Sequence, residues 1–252
     1  MIPISFNLYL TDHCTLKCRH CSHRSSRYFP NDMTRAEITF ALRFILKAVR
    51  HYDVGVIGLS GGEPLLSPHF TFVCETLAEA LYAMKATTHL ELHTNGTVRP
   101  PAELLLRFSN IYIGHDVFHR EQVPVKKLFL DELSRLGNVT LRWANCIRDK
   151  GCSKALLRQY KMPFIKQYCQ LAGADRVLIN FAPGHIRFCM ENSQDYSNVH
   201  AFAEYKTKYQ DNILLLIDKS IDFMHSHVGT NCTTPCHLYH TVLEEKNETA
   251  AL

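Results

Sequence analysis

Residues 54–64 read VGVIGLSGGEP, a short apolar run that ends abruptly in two glycines. Val54 to Ser60 has the continuous apolar character of a strand buried on both faces, as in parallel sheets. Gly61 and Gly62 allow a sharp turn and let the backbone approach a ligand with no Cβ in the way, while Glu63 supplies a carboxylate able to hold an ammonium group. Pro64 follows, and Ser67 and Pro68 then open a helix as cap and first residue. Strand, turn and helix together make one repeating unit of a β/α barrel.

Upstream stands CTLKCRHC, residues 14–21, on the loop leaving a first strand expected over Phe6 to Thr11. Thiolates hold iron or zinc, and the C-x3-C-x2-C spacing brings Cys14, Cys18 and Cys21 to one centre with a fourth position unfilled. Lys17 and Arg19 offset the charge. An open metal site serves chemistry rather than stapling. By spacing alone the same loop also suits a zinc knuckle with His13, His20 or His23 as fourth ligand. The GGEP turn about 40 residues later argues against the knuckle, since a bare turn of that kind is weak evidence but the pair is strong.

Outward from these motifs, strands and helices alternate as far as about residue 145, the pattern of parallel strands with crossover helices. Thr34 and Glu37 form a capping box, and Ile38, Leu42, Ile45, Val49 and Tyr52 recur at helical spacing behind it. A second helix, Pro68 to Met84, carries Val73, Leu77 and Leu81, with Cys74 beside that face as a buried structural thiol. Further strands are expected at His89 to Thr94, Asn110 to His115 and Val139 to Asn145, with a helix at Val125 to Leu136. Polar residues at the C-terminal ends of barrel strands face the shared mouth. Asn95 in the HTNG turn, Asp116 in HDVFH and Arg142 before WANC are therefore candidates, Arg142 as a fork for a carboxylate or an anionic substrate group. Glu91 and His93 share one face of the third strand.

The 252 residues are 46% hydrophobic, enough to bury one large core or a core with a small appendage. A net charge of +4 without a basic block or stripe gives nucleic-acid binding little support. No apolar run approaches the roughly 18 residues that span a bilayer, and no targeting signal is visible, so the expected compartment is the cytoplasm. Ten cysteines in a reducing compartment point to metal sites rather than disulfides.

The C-x3-C-x2-C loop, with His20 where an aromatic ring often sits, and the GGEP turn resemble the radical S-adenosylmethionine (SAM) superfamily. The resemblance implies a 4Fe-4S cluster on Cys14, Cys18 and Cys21, whose fourth iron is chelated by SAM. It implies SAM contacts from His20 and the Gly61, Gly62, Glu63 and Pro64 segment, with Asn95 beside the site and Asp116 and Arg142 as SAM or substrate ligands of catalytic importance. The fold it implies is α/β, an abridged TIM-like β/α barrel over residues 1–152. Only five strands are visible against six usual in that family.

Cys169, Cys189, Cys232 and Cys236 form a second set, the first two flanking a hairpin signal in which Val177 to Phe181 and His185 to Phe188 are joined by residues 182–184. Their spacing resembles the twitch domain, a shortened SPASM module, here residues 153–243 with a polar tail at 244–252. The resemblance assigns them a fully ligated auxiliary 4Fe-4S cluster; a four-cysteine zinc site is chemically as well satisfied. An apolar helix, Ile213 to Met224, packs this part against the barrel. Cys146 and Cys152 are buried thiols or, for one of them, a hydrogen-atom donor.

The activity these resemblances imply is a dehydrogenase that takes a hydrogen atom from a hydroxyl-bearing carbon of a small polar substrate, with the auxiliary cluster accepting the electron. Its partners are the small-molecule substrate and an external flavodoxin- or ferredoxin-type reductant, with no nucleic acid and no membrane, and the chain acts as a monomer. The alternative is a peptide-modifying enzyme that crosslinks or epimerises. Few residues precede the first strand, which leaves no room for a leader-binding domain and weighs against it. A non-enzymatic iron-sulfur or zinc scaffold has no use for an ammonium-binding turn.

Overall fold

The computed structural model describes residues 3–19, 21, 25, 31–114, 117–122, 138–142, 146–148, 164–166, 177–187, 199–201, 212, 214–215, 217–218 and 238–241. The strands are β1 (Ile4–Tyr9), β2 (Val54–Ser60), β3 (His89–Thr94), β4 (Asn110–Gly114), β5 (Val139–Arg142), β6 (Cys146–Arg148), β7 (Phe164–Lys166), β8 (Val177–Ala182), β9 (His185–Arg187), β10 (Val199–Ala201) and β11 (Leu238–Thr241). Helices α1 (Arg35–His51), α2 (Phe70–Ala83), α3 (Ala102–Leu105) and α4 (Val117–Arg120) lie between the early strands.

The main sheet runs β10-β9-β8-β1-β2-β3-β4-β5, and a three-stranded antiparallel sheet runs β6-β11-β7. Strands β1 to β5 are parallel in chain order, with β8 parallel to the other edge of β1. The sixth parallel strand is thus the first arm of the hairpin, drawn from beyond residue 152. Its partner was not legible because parallel pairing is non-local and carries no turn signal. This α/β, mostly parallel arrangement is that of a partial barrel.

Local chemistry explains the element ends. Thr34 Oγ1 accepts the Glu37 N–H at 3.3 Å and Glu37 Oε2 accepts the Thr34 N–H at 2.6 Å, the reciprocal box that starts α1. Strand β1 begins and ends two residues earlier than expected, because Thr11 is drawn into a bridge with Asp32. Helix α2 begins at Phe70, after Pro64–Leu66 has formed a separate 3-10 turn closed by the Ser67 N–H on the Pro64 carbonyl at 3.0 Å. The expected helix over 125–136 lies outside the described residues.

Alternate strand residues build the core between the sheet and its helices. Ile57 and Leu59, Leu90 and Leu92, Ile111 and Ile113 are all buried there against Ile38, Phe44 and Ile45 of α1 and Val73 and Leu77 of α2. Phe44 meets Phe6 and Phe181 edge-on at 5.9 and 5.4 Å, tying α1 to β1 and β8. Ile217 is fully buried in the same core, and the Tyr52 hydroxyl donates to Asp218 Oδ1 at 2.6 Å. These contacts bring part of the expected helix over 213–224 onto the barrel. No helix among the described residues is long and apolar enough to cross a membrane.

Candidate active site at the C-terminal ends of the strands

The cysteine loop and the GGEP turn are stitched together by their backbones. The Leu10 N–H reaches the Ser60 carbonyl at 2.9 Å, the Gly62 N–H the Thr11 carbonyl at 2.7 Å, and the Glu63 N–H the His13 carbonyl at 2.7 Å. This contact demands the glycines. A Cβ on Gly62 would stand 2.3 Å from the His13 carbonyl oxygen, and one on Gly61 2.8 Å from that of Thr11. The two glycines therefore hold the GGEP turn against the loop that carries Cys14.

Glu63 is fully buried. Its carboxylate accepts the Thr94 hydroxyl at 2.9 Å, the Asn95 N–H at 2.8 Å and the Leu65 N–H at 3.2 Å. Burial pushes its carboxyl up to about 7, against the pull of the Asn95, Thr94 and Leu65 donors and of His119. Three donors on about four lone-pair sites leave room for one more partner. Glu63 is thus a strut between the ends of β2 and β3 as well as the expected ammonium ligand.

Asn95 does more than shape its turn. Its Oδ1 accepts the Thr97 N–H at 3.0 Å, Gly96 takes φ 73°, and its Nδ2 donates to Cys14 Sγ at 3.4 Å and Thr15 Oγ1 at 3.1 Å. The Leu16 N–H also donates to Cys14 Sγ, at 3.4 Å. On the other limb of the loop, Gln122 Nε2 donates to Cys18 Sγ at 3.5 Å, and the Cys21 N–H closes a turn on the Cys18 carbonyl at 3.2 Å. Burial raises the Cys14 thiol above its ordinary range, with the Leu16 and Asn95 donors opposing. A bound cation reverses such a shift.

Cys14, Cys18 and Cys21 are free of disulfides on this one loop. Among the described residues no three His, Cys, Asp or Glu side chains stand close enough to hold a metal ion. The loop supplies the donor set without drawing it to a point. That donor set still suits an iron-sulfur cluster: three thiols on a tight loop, two of them met by N–H groups of the kind that stabilise bound thiolates.

Below the turns, the sheet face opposite α1 and α2 is polar. Ser60 Oγ donates to Asn7 Oδ1 at 2.8 Å, and the Tyr112 hydroxyl and Asn110 amide reach Glu91 Oε1 at 3.3 and 3.4 Å. His93 Nε2 lies 3.6 Å from Glu91 Oε2, its ring stacked on Tyr112 at 5.1 Å. Burial pushes the Glu91 carboxyl up, but His93, Tyr112 and Asn110 outweigh it and hold the group below the usual carboxylate range. Gly58 leaves the space beside Asn7 and His93, since a Cβ there would stand 3.2 Å from Asn7 Oδ1 and 3.5 Å from His93 Nε2. Gly114 does the same for His119, whose Nε2 would lie 3.1 Å from a Cβ.

The structure therefore joins Cys14, Cys18, Gly61, Gly62, Glu63 and Asn95 in one assembly. Arg142 is paired with Gly114 in the β4–β5 register, at the C-terminal end of the sheet. His20, Asp116, Cys152, Cys169, Cys189, Cys232 and Cys236 lie outside the described residues, and Cys146 begins β6. Sequence reasoning missed Gln122, Thr94 and Tyr112. Tyr112 joins Glu91 and His93 through the β3–β4 register, Thr94 lies on the opposite face of β3 from those two, and nothing local marks Gln122.

Comparison with known proteins bears on the same residues. Pre-heme d1 synthase of Dinoroseobacter shibae is 38% identical over 108 residues, which are 42% of this chain and only 24% of that protein's length. A crystal structure of BtrN in complex with AdoMet and 2-DOIA shares the fold with a TM-score of 0.55 at 13% identity, over 88% of this chain and 87% of BtrN. Streptococcus suis SuiB bound to S-adenosylmethionine superimposes with a TM-score of 0.49 at 15% identity, over 89% of this chain and 68% of SuiB. Residues 8–144 match the Radical SAM superfamily, a span that takes in the three cysteines, the GGEP turn, the HTNG turn and β5. With more than half of its length inside that match, the protein is an enzyme of the radical SAM superfamily.

Proposed function

We propose that this enzyme is an oxidoreductase that converts an alcohol of a small polar substrate, of sugar or aminocyclitol type, to a ketone. The observation that carries the reading is the inner face, where Asn7, Ser60, Glu91, His93 and Tyr112 offer hydrogen-bonding groups beside the cysteine loop and the Glu63 turn. Short polar side chains on rigid strands suit a compact, multiply hydroxylated ligand. BtrN shares the fold through most of both chains and its structure holds AdoMet and 2-DOIA; the proposal takes its substrate class from that ligand. In chain length, abridged barrel and the placement of the seven cluster cysteines the chain resembles 2-deoxy-scyllo-inosamine dehydrogenase.

Cys14, Cys18 and Cys21 would hold a 4Fe-4S cluster, and residues 61–64 together with Asn95, Asp116, Arg142 and His20 would bind SAM. Bound together, cluster and SAM supply a radical able to take a hydrogen atom from the substrate. This chain's residues do the rest. Glu63 and its donors fix the turn that receives the ammonium of SAM. Removing a hydrogen atom from an alcohol carbon leaves one electron and one hydroxyl proton to be lost before a ketone exists. We assign that proton to the Glu91 and His93 pair on the inner face, and Cys169, Cys189, Cys232 and Cys236 would hold an auxiliary cluster to receive the electron.

The test is anaerobic reconstitution followed by incubation of 2-deoxy-scyllo-inosamine and related alcohols with SAM and reduced flavodoxin. Ketone and 5'-deoxyadenosine in equal amounts are expected, with Cys14→Ala inactive and Cys232→Ala still cleaving SAM but forming no ketone. Ketone formation by Cys232→Ala would remove the electron-acceptor role. SAM cleavage without oxidation of any alcohol would instead direct the search to peptide substrates.

A further inference from the structure

Gln122 stands just after α4, far in sequence from the cysteine loop, yet its side chain touches that loop twice. Its Oε1 accepts the Lys17 backbone N–H at 2.7 Å, and its Nε2 donates to Cys18 Sγ at 3.5 Å and to the Phe118 carbonyl at 3.3 Å. The orientation of the amide is fixed by chemistry. A backbone N–H can only donate and a backbone carbonyl can only accept, so the oxygen must face Lys17 and the NH2 must face Phe118 and the sulfur.

Asn95 repeats the device on the opposite limb. Its Oδ1 accepts the Thr97 N–H while its Nδ2 reaches Cys14 Sγ. Two side-chain amides, one just after β3 and one just after α4, thus flank two of the three thiols, each held by its oxygen and aimed by its nitrogen. Gln122 alone also grips the backbone of the loop itself, one residue before Cys18.

We propose that Gln122 is a positioning residue that sets the reduction potential of the cluster by donating an N–H···S hydrogen bond to Cys18, while its carbonyl pins the Lys17–Cys18 limb. A donor on a ligating sulfur stabilises the more negative, reduced state and so raises the potential. This requires only the cluster that superfamily membership brings, not the dehydrogenase reading.

Gln122→Glu separates the two functions. A glutamate keeps an oxygen to accept the Lys17 N–H but places a second oxygen, without a proton, against the sulfur. Gln122→Met removes both interactions at similar volume. Potentiometric titration of the anaerobically reconstituted proteins, read by electron paramagnetic resonance, reports the potential independently of turnover. In Gln122→Glu the reduced-to-oxidised ratio at a fixed applied potential should fall about tenfold, about 59 mV for a one-electron couple, at wild-type iron content. Gln122→Met should fall in the same direction and lose iron faster to a chelator. Because the glutamate also brings a negative charge, the neutral variant decides: a wild-type potential in fully loaded Gln122→Met, or in Gln122→Glu, overturns the proposal.

A measurement on the unaltered protein decides the matter should the variants fail to load. Wild type labelled with 15N-glutamine, reduced and studied by pulsed electron paramagnetic resonance, should show a 15N hyperfine coupling on the signal that SAM addition shifts, which separates Gln122 from Gln167 and Gln170 beside Cys169. Its absence overturns the proposal as well.

Discussion

Glu63→Gln tests the strut between the ends of β2 and β3; the glutamine NH2 must face the Leu65 or the Asn95 N–H at every pH, an offset that the pH dependence does not carry. Burial raises the Glu63 carboxyl from 4.5 to about 7, so between those values the folded protein binds a proton that the unfolded chain does not. The stability associated with that proton is fully present below pH 4.5 and is lost as pH rises through 7. Integrated over the interval, the loss is about 3 kcal/mol at roughly 1.4 kcal/mol per pKa unit. Glutamine stands in for the protonated acid and cannot ionise. Urea denaturation of iron-free wild type and Glu63→Gln at pH 5, 6, 7 and 8 should therefore show the variant gaining on wild type as pH rises, by about 3 kcal/mol overall. Contributions from the fifteen histidines cancel in the difference. Parallel curves would refute the reasoning, since they would mean that Glu63 keeps one protonation state throughout. On the proposed role of Glu63 as ammonium ligand, the uncharged variant is expected to bind SAM less tightly at pH 8.

Gly62→Ala should cost more than the roughly 1 kcal/mol of a typical point mutation, on the order of 3 kcal/mol, because the new Cβ meets backbone rather than a movable side chain; thermal melting and iron content after reconstitution check it, and a wild-type melting temperature would be the contrary result. Phe44→Ala should destabilise by about 3–5 kcal/mol through the cavity left beside Phe6 and Phe181, read as a shift in the urea midpoint at unchanged slope. Glu91→Gln should remove the stability that a depressed carboxylate provides above the unfolded pKa and forfeits as pH falls through the folded one; the gap between variant and wild type should close on acidification, and a gap that widens would contradict the His93 and Tyr112 contacts.

Sequence patterns carried the local elements well. The box at Thr34 and Glu37, the β2 run into Gly61 and Gly62, and the hairpin at 177–187 all appear where their chemistry puts them, because each is set by neighbours within a few residues. What pattern could not carry was pairing over distance. That β8 lies beside β1, that Thr94 and Asn95 hold Glu63, and that Gln122 reaches Cys18 depend on register and crossover geometry. The glycines of the GGEP turn show a subtler gap: their need was legible, yet the backbone they admit closely is that of Thr11 to His13 in the cysteine loop.

The place of β1 between β2 and β8 has a consequence for how the protein is made. Strand β1 leaves the ribosome before its partners and can pair with β2 early, but its other edge stays open until residues 177–182 have been synthesised, roughly 10–35 s later at common elongation rates. Through that interval Phe6 and Leu8 lack the Phe181 neighbour that covers them in the finished sheet, and an unpaired apolar edge is a template for aggregation. A nascent chain released or cleaved near residue 152 would carry all three cysteines of the first loop on an unsealed sheet. Expression of that fragment alone, as a shortcut to a minimal cluster-binding unit, is therefore expected to give inclusion bodies, whereas fragments ending beyond residue 187 retain the covering strand.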